Sequence, residues 1–123
     1  VAAVELIEAK RVTVMFDFAP IMGAILEQQE KTGKRLDSLK HVIGLEGAET
    51  IEKYQKQTGG TFYVMYGQTE TSAIATLGRY NDRPGSAGRT IPLADVKLVD
   101  ENERAVPAGL AARAREAARI DLR

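Results

Sequence analysis

The feature that most constrains this chain is the alternation of two periodicities over its first 65 residues. Val1, Val4 and Ile7 stand three apart, with Glu5 after Val4 and Glu8 after Ile7, which is the spacing of a short amphipathic helix. Residues 11–16 (RVTVMF) are β-branched and apolar and read as a buried strand. Residues 19–31 return to helical spacing, with Ile21/Ile25 and Met22/Leu26 as i,i+4 pairs. Pro20 suits the first helical position, because the N–H it lacks would be unpaired there, and Gly33 stops the helix. Residues 41–45 (HVIGL) repeat the strand pattern, residues 48–57 the helix pattern with Ile51 and Tyr54 inward, and residues 61–65 (TFYVM) form a third strand. Strands that alternate with helices favour an α/β fold, a parallel sheet flanked by helices in a three-layer arrangement. With right-handed crossovers, residues 11–68 should form three parallel strands carrying the helices 19–31 and 48–57.

After residue 66 no period holds. Residues 67–92 carry Gly67, Gly78, Gly85 and Gly88 among Thr, Ser and Arg, a loop-rich stretch of the kind that in compact domains is functional or disordered. Residues 94–99 (ADVKLV) alternate and read as a further β strand. The final residues 111–123, rich in Ala and Arg, are compatible with a helix on propensity alone.

Composition narrows the chemistry. Seventeen basic residues balance seventeen acidic ones, unlike a dedicated nucleic-acid binder with its basic excess. Cysteine is absent and His41 is the only histidine. Thiol nucleophiles, thiolate metal sites and multi-histidine centres are therefore excluded. No apolar run approaches the ~20 residues of a membrane span. The chain opens on Val1-Ala2-Ala3 without Met, so it is expected to be a segment of something larger.

The segment Tyr66-Gly67-Gln68-Thr69-Glu70-Thr71-Ser72 follows the third strand directly, and parallel α/β sheets bind ligands beyond the carboxyl ends of their strands. Its residue types suit a nucleotide: a ring to stack, a glycine for close approach, hydroxyls for phosphate oxygens and a carboxylate for Mg²⁺. A polar strand-to-loop turn with no ligand fits the same residues. His41 reads as a surface or helix-packing residue, Tyr80 and Arg83 as exposed loop residues, and Phe16 with Phe18 as core packing.

Tyr66-Gly67-Gln68-Thr69-Glu70 resembles the YGxTE motif of adenylate-forming (AMP-binding) enzymes, the superfamily of acyl-CoA synthetases, aryl-CoA ligases, luciferase and peptide-synthetase adenylation domains. Arg83-Pro84-Gly85-Ser86-Ala87-Gly88-Arg89 is similar to its RPGSVGR loop. Ile91-Pro92 with Val96-Lys97-Leu98-Val99-Asp100 resembles its PGxxxxIVD strand, and Val106-Pro107-Ala108-Gly109 its VPxG turn. Upstream, Phe18-Ala19-Pro20-Ile21-Met22 resembles the VPxM helix start, and residues 36–43 its DLSSLRxV segment. The resemblance runs over residues 4–111, in order and spacing. Residues 1–111 are thus expected to be a middle segment of the large N-terminal domain, and residues 112–123 an appended tail foreign to the family.

The resemblance implies an acyl-CoA synthetase, a long-chain-fatty-acid–CoA ligase by preference. Such an enzyme activates a carboxylic acid with ATP as the acyl-adenylate and passes it to coenzyme A, with Mg²⁺ required. Carried over residue by residue, Tyr66 would stack on adenine and Gly67 and Gln68 would lie against the carboxylate. Thr69 would donate to the adenylate phosphate, Glu70 would hold Mg²⁺, and Gly47 and Ala48 would border the adenine. Thr69 and Glu70 are the implied catalytic residues. The family's SGGAP turn reads here as Leu45-Glu46-Gly47-Ala48-Glu49, with Glu46 and Glu49 taken as a solvated helix entry. The family's phosphate loop, TGD segment and catalytic-lysine domain are not in this chain, so the segment alone is expected to be inactive. The alternative is a free-standing, non-catalytic nucleotide-binding module of the same fold. The resemblance places the parent enzyme in the cytoplasm, with no nucleic-acid partner.

Overall fold

The computed structural model describes residues 2–71, 73–99, 102, 104–105 and 118–121. Helix α1 (Ala2–Lys10) leads through Arg11 into strand β1 (Val14–Phe18), followed by α2 (Ile21–Thr32), β2 (His41–Leu45), α3 (Ala48–Thr58) and β3 (Thr61–Gln68). Then come a 3-10 turn at Thr69–Thr71, β4 (Ala73–Arg79), a second 3-10 turn at Tyr80–Asp82, β5 (Arg89–Thr90), β6 (Asp95–Leu98) and β7 (Ala118–Asp121). Both α2 and α3 end as their sequences direct. Gly33 and Gly59 each adopt φ 66°, and their N–H groups donate to Gln29 O and Gln55 O at 2.9 Å, closing carbonyls that a helix end leaves open.

Five strands form one mixed sheet in the order β1-β2-β3-β4-β5. The expected parallel core is present: Val14 pairs with His41 and Phe18 with Leu45, while His41 pairs with Thr61 and Gly44 with Val64. Strands β4 and β5 then extend it antiparallel. Strands β6 and β7 make a separate two-stranded antiparallel sheet.

Side chains alternate across a strand, and the core collects on one face. Val4 and Ile7 of α1, Met22, Ile25 and Leu26 of α2, and Ile51 and Tyr54 of α3 pack with Val42 and Phe62 of the sheet. Each such side chain contributes roughly 1.5–3 kcal/mol on full burial. Tyr54 is fully buried and its hydroxyl donates to Leu39 O at 2.9 Å. Burial pushes that phenol up to about 12, so the donor keeps its proton throughout the working range. On the opposite face, Val14, Phe16, Phe18 and Leu45 are exposed.

Several expectations need correcting. The first strand is Val14–Phe18 rather than residues 11–16. Arg11 takes a positive φ of 48° and Val12 N–H still donates to Ile7 O, so the chain is leaving a helix where a strand was expected. Pro20 precedes the helix rather than opening it, after a cis Ala19–Pro20 bond. Residues 67–92 are not irregular throughout, because β4 and β5 arise within them. Phe16 and Phe18 lie on the open face, not in the core, at 60% and 50% exposure. Tyr80, expected exposed, is buried against the core cluster. The tail allowed as a helix forms a strand at Ala118–Asp121; residues 111–117 and 122–123, like most of 100–110, lie outside the described residues.

Candidate functional site

All three parallel strands deliver their carboxyl ends to one edge, where Phe18, Leu45 and Gln68 close β1, β2 and β3. Strand β3 carries Tyr66-Gly67-Gln68 as its last residues, and Thr69-Glu70-Thr71 turn away as a 3-10 turn. Between Tyr66 and Gly67 the pairing slips: Tyr66 faces Thr76, but Gly67 faces Ile74. Ala75, 1% exposed, is the extra residue of this β-bulge. A bulge bends the strand that carries the extra residue and re-aims the residues beyond it; that strand is β4, whose Ile74 is set opposite Gly67.

At this edge the open sheet face forms a groove of about 530 Å³. Phe16, Phe18, Leu45, Met65 and Ile74 give it apolar walls, and Gly67, Gln68 and Thr69 supply its polar end. The structure thus brings three of the sequence-selected residues together. Tyr66 is half-buried and outside the lining, its hydroxyl donating to Gln68 Oε1 at 3.4 Å. Glu70 is exposed on the turn beside Thr69. Gly47 precedes the first turn of α3 and Ala48 begins it; both are exposed and neither lines the groove.

Two acids lie behind this edge, and the sequence pointed to only one of them, Glu46. Asp17, between Phe16 and Phe18, points to the helix side and is 0% exposed. Among the described residues neither of its carboxylate oxygens has a partner at hydrogen-bonding geometry. Burial first, and the negative charge of Glu46 second, push Asp17 up to about 6, while the Met22 and Phe18 N–H groups pull the other way. Glu46 Oε2 accepts from Gly47 N–H at 3.2 Å, but Oε1 is buried and unpartnered among the described residues. Glu46 is therefore not the solvated entry expected, whereas Glu49 is exposed in the first turn of α3. The available signal was a lone acid inside an apolar strand run, VMFDF.

Among the described residues no group of three or more His, Cys, Asp or Glu side chains is placed to hold a metal ion. No helix among them is long and apolar enough to cross a membrane. His41 is exposed at the far end of β2, its ring 5.8 Å from that of Tyr63.

An α/β sheet with a groove at the carboxyl ends of its parallel strands is the architecture of a ligand-binding domain. The sequence pattern of the family described as AMP-binding enzyme matches residues 1–111, and the chain belongs to that family. It is similar to the mitochondrial acyl-coenzyme A synthetase ACSM3 of Mus musculus, 36% identical over 101 residues, covering 77% of this chain and 17% of that protein. The human ACSM3 is 37% identical over the same length. Among solved structures, one from Rhodopseudomonas palustris, provisionally described as a long-chain-fatty-acid CoA ligase, matches 88% of this chain with TM-score 0.80 and 42% identity, over 27% of its own length. The anthranilate CoA ligase AuaEII, solved with anthranoyl-AMP, matches with TM-score 0.75 and 26% identity. This chain spans only about a sixth of the curated relatives' length.

Proposed function

We propose that this chain is a segment of an acid–thiol ligase, an acyl-CoA synthetase that joins a carboxylic acid to ATP and then to coenzyme A. The observation that carries this reading is the groove whose walls are apolar and whose end is Gly67-Gln68-Thr69. An acid with an apolar chain would lie against Phe16, Phe18, Leu45 and Met65, with its carboxylate at Gly67 and Gln68. A fatty acid is the preferred substrate.

In the first step a carboxylate oxygen attacks the α-phosphorus of ATP and the bond to the β-phosphate oxygen breaks, releasing pyrophosphate. Tyr66 offers a ring face to adenine, Gly47 and Ala48 border it, and the Thr69 hydroxyl donates to the α-phosphate. In the second step a thiolate adds to the acyl carbon and AMP leaves. Donors aimed where charge develops supply much of the rate in such a step. Glu70 is the residue that would hold Mg²⁺. It is a single exposed carboxylate, which fits a hard cation completed by phosphate oxygens and water. When bound, the ion would neutralise phosphate charge. The proposed domain limits, residues 1–111 with a foreign 112–123, and a cytoplasmic location for the parent belong to the same proposal.

The test is adenylation by the parent ligase, read as acyl-hydroxamate trapped from acids of increasing chain length. Ile74→Trp should fill the groove and shift preference to shorter acids. An unchanged chain-length profile, or nucleotide binding with no pyrophosphate released from any acid, would contradict the proposal.

A further inference from the structure

The proposed reaction leaves residues 83–89 without a task. A second concavity, of about 380 Å³, lies at this loop and shares no lining residue with the apolar groove. Its rim includes Arg79 at the end of β4, Asp82, and Arg83, Ser86, Gly88 and Arg89. Arg79, Arg83 and Arg89 are exposed. Among the described residues, none of the three guanidinium groups makes a hydrogen bond or an ion pair. The whole chain has equal numbers of acids and bases, yet here three guanidinium groups meet one carboxylate.

The loop that presents them is shaped by its own bonds. Thr76 Oγ1 donates to Ala87 O at 2.6 Å, Ser86 N–H to Arg83 O at 3.1 Å and Gly88 N–H to Ser86 Oγ at 3.1 Å. Gly85 and Gly88 hold φ values of 81° and 92°. The arginines are thus mounted on a backbone that is already ordered, which lowers the cost of binding.

We propose that this pocket binds a phosphate group. Guanidinium forks pair bidentately with phosphate oxygens. A phosphate carries roughly −1.5 to −2 charge at pH 7 and at least three acceptor oxygens, enough to engage several arginines at once. A carboxylate offers one charge and two oxygens. The volume sits near the small end of the ~300–1,000 Å³ range of ligand pockets, room for a phosphate or diphosphate. The group is either a free phosphate or diphosphate, or the phosphate of a nucleotide.

The test is a titration of the 123-residue chain, followed by amide and arginine side-chain ¹⁵N resonances at constant ionic strength. The probes are pyrophosphate, inorganic phosphate, AMP and succinate. Pyrophosphate should give saturable shifts at Ser86, Gly88 and the arginine Nε–H groups. Arg83→Gln and Arg89→Gln should each weaken binding at least tenfold, and Arg83→Lys less, with the Tyr54 and Phe62 amides unmoved in every variant. Shifts from AMP at the same positions would assign the phosphate to a nucleotide, and their absence to a free anion. Equal binding of succinate, shifts that never saturate, or binding unchanged by both Gln substitutions would overturn the proposal.

Discussion

Asp17 places a fully buried carboxylate beside Glu46, with neither oxygen partnered at hydrogen-bonding geometry among the described residues. Its folded value of about 6 lies above the 3.8 of an unperturbed aspartate, so the folded state holds the proton more tightly than the unfolded chain. The stabilisation is complete below the unfolded value and is lost as pH rises through about 6. The shift corresponds to about 3 kcal/mol between these limits. Asp17→Asn removes the charge, so its unfolding free energy at pH 8 should exceed the wild type's by about 1–2 kcal/mol, less than the full shift because the amide adds buried donors. The gain should vanish by pH 4. Urea unfolding at both pH values checks this, and an equal difference at both would show that Asp17 does not titrate between them.

At the scale of elements, helices and parallel strands were legible because each carries its own period and stop. Ile51 and Tyr54 are spaced three apart on α3, and Gly59 ends it in a positive φ. Strand β4 was not legible. Its residues AIATLGR lack a strong alternation, and Gly78 breaks what there is. What makes it a strand is non-local, namely pairing with β3 from Tyr63↔Arg79 to Gln68↔Ala73. The bulge opposite Gly67 likewise depends on Ala75 of that partner. Motif order located the candidate loop, but the groove walls also take Phe16 and Phe18 from β1, Leu45 from β2 and Ile74 from β4. Gly88 ties the following loop to this edge. An added Cβ there would collide with backbone atoms of Leu77 and Gly78, at a φ of 92° that side chains resist. Gly88→Ala should therefore cost about 1–3 kcal/mol locally. Amide exchange at Ile91, whose N–H donates to Ala75 O at 3.1 Å, should accelerate while that of Phe62 does not. Unchanged exchange at Ile91 would mean that the loop tolerates a side chain.

At the scale of the whole molecule, the chain carries one wall of a site. The helices cover one sheet face, and the apolar residues Val14, Phe16, Phe18 and Leu45 stand open on the other. Among the site residues, only Gly67, Gln68 and Thr69 line the groove, and preorganised catalysis requires a full set of donors. The 123-residue chain should therefore bind MgATP no more tightly than the millimolar range, about −4 kcal/mol, and release no pyrophosphate. Calorimetric titration giving micromolar affinity would contradict this.

The most direct test of the central claim, that Tyr66-Gly67-Gln68-Thr69-Glu70 is the adenylating loop of a ligase, is pyrophosphate release by the parent enzyme at saturating ATP across a Mg²⁺ titration. Glu70→Gln keeps the shape and removes the charge that the metal needs, so the rate should fall on the order of 100-fold. Tyr66→Phe keeps the ring face and loses only a hydroxyl, so the rate should fall about tenfold or less. Thr69→Val, which removes the phosphate donor, should fall between them. A Glu70→Gln enzyme with the wild-type rate and wild-type Mg²⁺ dependence would contradict the account, leaving a chain that shares the family's fold without its metal site.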